Sequence, residues 1–101
     1  MPHLKKIVLV CKSGAVDIRA REKLVQELFD DRIELFCVVG PGCETWEDEM
    51  DWVCVMAQVD TGVDHLVLTT SHQEESIESV MQLARQISVP SGAAEIEVIT
   101  V

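Results

Sequence analysis

The chain has 101 residues, 48% of them apolar, enough for one domain spanning 1–101 with a single core. Eighteen Asp and Glu against eight Lys and Arg give a formal charge of -10. That sign is wrong for neutralising phosphates, so neither nucleic acid nor anionic membrane is an expected partner. Aromatics amount to Phe29, Phe36, Trp46 and Trp52, too few for a base-stacking surface.

The first apolar run is Lys6 to Val10, and it leads into Cys11-Lys12-Ser13-Gly14. Helix one is expected from about Val16 to Phe29, with Ala20, Leu24, Val25 and Leu28 on one side and Asp30-Asp31 ending it. The second run, Ile33 to Val39, closes at Gly40-Pro41-Gly42. Helix two opens at Thr45, whose hydroxyl can cap backbone N–H groups; Trp46, Met50, Val53, Cys54 and Ala57 follow at helical spacing. The third run is His65 to Thr69. Helix three starts at a capping box, Ser71-His72-Gln73-Glu74, and carries Ile77, Val80, Met81, Ala84 and Ile87 toward the core before Pro90-Ser91-Gly92 stops it. The last run, Glu95 to Val101, alternates acid and aliphatic residues as a half-exposed edge strand does. The first three runs read instead as strands covered on both faces.

This βαβαβαβ order predicts a small three-layer α/β/α sandwich around a four-stranded parallel sheet with right-handed crossovers. The commonest arrangement is strand order 2-1-3-4, a flavodoxin/Rossmann-like layout cut short. It puts helix one on one face and helices two and three on the other. The helix that would cover the helix-one side of strands three and four is missing, so a bare flank near Ile99 and Val101 is expected. A second copy covering it makes a homodimer. Helix two also carries Trp52, Val55, Met56 and Val59 off its core stripe, a second candidate interface or else a deeply buried face.

Ligands of open α/β sheets bind beyond the carboxyl ends of the strands, where strand order reverses. In the order 2-1-3-4 that point lies between strands one and three. It gathers Cys11, Ser13 and Gly14 with Thr70, Ser71 and His72, and Cys43 stands beside them. Cys11 and His72 are the candidate catalytic pair: a thiol beside Lys12 at a helix entrance, and an imidazole facing it. Cys11, Cys43 and His72, with Glu44 or Asp48, are metal-ligand types without metal-ligand spacing, so no metal is expected. No Rossmann glycine fingerprint, P-loop or nucleophile elbow is present, and no cofactor is implied.

Over Ile7 to Gly14 the sequence resembles the cysteine-phosphorylated B component of bacterial sugar phosphotransferase systems, which is also similar in length and layout. The resemblance implies that Cys11 carries a phosphoryl group cradled by the Ser13 to Val16 backbone. The following Ala15-Val16-Asp17 departs from it by placing a carboxylate near that group. The same stretch resembles the low-molecular-weight tyrosine phosphatases, but the position of their arginine, after five intervening residues from the cysteine, holds Asp17, and Arg19 is out of register. No C-x-x-C pair occurs among Cys11, Cys37, Cys43 and Cys54, and neither a targeting segment nor a membrane-length run is present. Reduced thiols and a cytoplasmic location are therefore expected. The leading functional expectation is a non-enzymatic module for protein contact or self-association. A small-molecule or phosphoryl-binding protein, and an acidic protein neutralising a basic partner, are the alternatives.

Overall fold

A computed structural model describes residues 2–14 and 17–101. The elements are β1 (Lys6–Val10), α1 (Ile18–Asp30), β2 (Leu35–Val39), α2 (Cys43–Thr61), β3 (Leu68–His72), α3 (Ile77–Gln86) and β4 (Ile96–Thr100). They build a three-layer α/β sandwich whose four strands are all parallel. Among the described residues, no helix is long and apolar enough to cross a membrane.

The strand order is β3-β2-β1-β4 and not 2-1-3-4. The reason lies in side-chain chemistry. β1 (KIVLV) and β2 (LFCVV) are buried at every position, so they take the centre. β3 reads LTTSH and has no second apolar face to bury, so it takes an edge. The third strand also begins later than the apolar run His65 to Thr69 suggested, which places Ser71 and His72 inside it. The capping box at Ser71 therefore caps nothing. α3 starts five residues further on, where Ser76 Oγ accepts from the Ser79 N–H at 3.1 Å.

Right-handed crossovers to this order put α1 and α2 on one face and α3 alone on the other. Ile7, Leu9, Phe36 and Val38 face α1 and α2, and pack with Val25, Leu28, Phe29, Trp46, Met50 and Cys54. Val8, Val10, Leu35, Cys37 and Val39 point the opposite way, toward Val80 and Ala84 of α3. The expected grouping of helices two and three is thus replaced by helices one and two. A helix is about 10 Å across and strands lie about 4.8 Å apart, so α3 can cover only about two strands. It packs chiefly on β1 and β2, leaving Leu68 of β3 and Val98 of β4 half exposed at the two margins. The bare flank is therefore on the α3 side. Ile99 and Val101, on the other side, are partly buried against the first cluster.

Two tethers fix the ends of the sheet. Lys6 is buried, and its Nζ donates to the Ala84 carbonyl at 2.8 Å, placing a cation at the carboxyl end of α3, where the helix dipole favours one. At the other end the Gly40 N–H donates to the His72 carbonyl at 3.0 Å, and the Cys11 N–H donates to the Val39 carbonyl at 2.8 Å. Gly40 has φ of 104°, and a Cβ there would fall on the carbonyl oxygen of Cys11. Gly62, which ends α2 with φ of 71°, has open space around it.

Gly40→Ala is expected to cost about 3 kcal/mol or more in chemical denaturation, because strain and a backbone collision add. Gly62→Ala, with strain alone, should cost about 1 kcal/mol. Equal losses at the two sites would contradict the close approach.

The segment before β1 is clasped to β4. The Leu4 N–H donates to Glu97 at 2.9 Å, His3 Nδ1 lies 2.8 Å from the other oxygen of that carboxylate, and the His3 N–H donates to Asp31 at 3.0 Å. Burial raises the Glu97 pKa, but the bonds from Leu4 and His3 outweigh it and hold the group below 4.5. A depressed carboxylate contributes stability above its unfolded pKa and loses it as pH falls through the folded value. Glu97→Gln should therefore lower the urea midpoint at about pH 7, and the gap from wild type should narrow as pH falls below the ordinary carboxylate range. A gap that persists in acid would refute the clasp.

Candidate functional site

The order β3-β2-β1-β4 dissolves the pocket expected between strands one and three. β2 lies between them, so their carboxyl ends stand about 10 Å apart, at two strand spacings. Sheet order reverses instead between β1 and β4. There the Lys12 N–H donates to the Val101 carbonyl and the Val101 N–H to the Val10 carbonyl, extending the ladder past both strands. Ser13 and Gly14 are exposed beside this junction, while Ala15 and Val16, the rest of the expected phosphoryl cradle, lie outside the described residues.

Cys11 and Cys43 do come together, but inside the core that α1 and α2 cover, 3% and 1% exposed. Burial, and then the neighbouring Cys43, push the Cys11 thiol up to about 11. A thiol with that pKa is protonated at neutral pH and points into apolar packing. Lys12 does not counter this.

Thr70, Ser71 and His72 divide between the two faces of β3. Ser71 Oγ donates to Glu47 of α2 at 3.2 Å, and Thr69 Oγ1 donates to Asp51 at 2.9 Å. Thr70 and His72 point to the α3 side. There His72, with 11% of its side chain exposed, shares a 2.9 Å hydrogen bond from Nε2 to Thr70 Oγ1. Its Nδ1 lies 3.2 Å from Glu75, a residue the sequence reading did not single out. The imidazole thus bridges a hydroxyl and a carboxylate. Cys11 is not part of this bridge. Among the described residues, no three His, Cys, Asp or Glu side chains converge as metal ligands.

The more developed surface is on α2. Its inner side buries Cys43, Trp46, Met50 and Cys54. Its outer side carries Trp52, Val55 and Val59, 61%, 51% and 72% exposed, in a row at i, i+3 and i+7. Met56 turns inward with Trp52 to line a groove of about 380 Å³ between the carboxyl-terminal halves of α1 and α2. Phe29, Val53, Ala57 and Val63 complete its apolar lining, and Asp30, Arg32 and Asp60 bring charge to it. Arg32 is folded back: Nη1 donates to the Phe29 carbonyl at 2.9 Å, and the guanidinium lies 4.9 Å from the Phe29 ring centre. The groove lies at the amino ends of β2 and β3, opposite the edge where sequence reasoning looked. Ile99 and Val101 share this face of the sheet but lie at its β4 margin, across β1 and β2 from the edge that α2 covers, so the two expected interface patches are not one surface.

Cys11 should be alkylated by iodoacetamide in the native protein at about pH 7.5 roughly a hundredfold more slowly than a free thiol, and at the ordinary rate in denaturant. Rapid native labelling at Cys11 would overturn its assignment to the core.

No curated protein and no solved structure matches the chain. A family model described as a domain of unknown function, DUF7684, matches residues 1–101, and the chain belongs to that family.

Proposed function

We propose that this chain is a protein-interaction module that docks through the outer side of α2. The observation that carries the reading is the exposed row Trp52, Val55 and Val59. Single exposed apolar residues are ordinary, but three on one helical row beside a groove are not. Covering such side chains is worth about 1.5–3 kcal/mol each, and tryptophan is the residue most often found at the energetic centre of interfaces. None of the three is needed by the core, whose α2 contribution comes from the opposite side of the helix. A second copy of the chain is one possible occupant of this face, and another protein is the other.

Trp52→Glu and Val59→Glu should leave the unfolding free energy within about 0.5 kcal/mol of wild type in chemical denaturation, as exposed positions do. A photo-crosslinking residue at position 55 should give discrete protein adducts in the producing cell, and Trp52→Glu should abolish them. Position 23, exposed on α1, should give none. Absence of adducts at position 55, or adducts indifferent to Trp52→Glu, would refute the reading.

A further inference from the structure

We infer that the occupant of the α2 face is a basic amphipathic helix of another protein; this rests on the interaction reading above. The row from Trp52 to Val59 spans about 10 Å at 1.5 Å per residue. It is bracketed by acid at both ends. Glu44, Asp48 and Asp51 occupy the same exposed side of α2 on its amino-terminal half. Asp30 and Asp60 stand exposed at the last turns of α1 and α2, where neither helix has a basic residue to offset the negative end of its dipole. The nearby cation, Arg32, is held against Phe29.

An apolar row along α2 that borders the α1–α2 groove at Trp52, with acid at each end, fits the groove mode of helix recognition. The complementary ligand presents Leu or Ile at i, i+3 or i+4, and i+7, with Lys or Arg one turn beyond each end. From Glu44 to Asp60 the acidic brackets lie about 24 Å apart, so a helix of about 16 residues spans them. A second copy fits poorly. Each copy carries a charge of -10, and mutual approach brings acid toward acid. Salt therefore separates the occupants: it weakens a basic helix on this face and strengthens pairing of two like-charged copies.

The test uses the full chain and a synthetic 16-residue Leu/Lys helical peptide with its leucines aligned on one side. Trp52 is the reporter, because covering it should shift its emission to the blue. The aligned peptide should bind at least about tenfold tighter than a scrambled peptide of the same composition. Binding should weaken about tenfold or more between about 50 and about 500 mM salt. Asp30→Lys with Asp60→Lys should weaken it by about tenfold while leaving the fold intact, since lysine suits a helix carboxyl end. Equal binding of the scrambled peptide, or no effect of the double substitution, would overturn the inference. So would salt-enhanced dimerisation of the chain alone, in sedimentation, that Val59→Glu abolishes. If the peptide fails while crosslinks at position 55 persist, the basic helix is wrong and the interaction reading stands. Loss of both removes both.

Discussion

Burial of β1 and β2 on both faces is the constraint from which the rest of the molecule follows. All ten positions of the two strands, Lys6–Val10 and Leu35–Val39, are shielded from water. Only a helical layer on each side of the sheet can do this. α1 and α2 together close one side, and α3 closes the other. The one charged group in this pair, Lys6, is accommodated because α3 ends above it and offers a carbonyl. Charge-assisted bonds of this kind offset part of the cost of removing an ammonium from water. The same pair brings its two following loops so close that Gly40 cannot carry a side chain past Cys11.

That constraint also determines where chemistry is available. The carboxyl edge of the central strands is consumed by structure: Cys11 and Cys43 fill the core, and backbone groups of Lys12 and Gly40 continue the ladder. Surface with unused apolar area lies instead where helices pass beyond the sheet's amino edge. α2, at 19 residues, is the longest element, and its two sides have separate tasks. The inner side closes the core, and the outer side is free of that duty.

The fold class, the parallel sheet and the number of elements were legible because alternating apolar runs and helical stripes are local signals. β1 matched to the residue, and α1 began one turn's fraction later than expected, with Asp17 as its cap accepting from the Arg19 N–H. Strand order was not legible from the same signals, because it depends on comparing strands with one another. The decisive contrast was available: Thr69, Thr70, Ser71 and His72 cannot occupy a doubly covered position as Ile7 or Phe36 can. The apolar residues Leu66, Val67 and Leu68 drew the third strand too early and hid that contrast. The exposed row on α2 was legible as surplus apolar spacing. The groove beside it was not, because Phe29 and Arg32 reach it only through the contact between α1 and α2.

The margin formed by β3 has a consequence for how the domain comes apart. This strand pairs with one neighbour only, half its residues gain little from α3, and α2 is its main cover. Peeling would begin there. A ligand seated along α2 would clamp the weakest seam from outside, so occupancy would be felt as rigidity in a strand the ligand never touches.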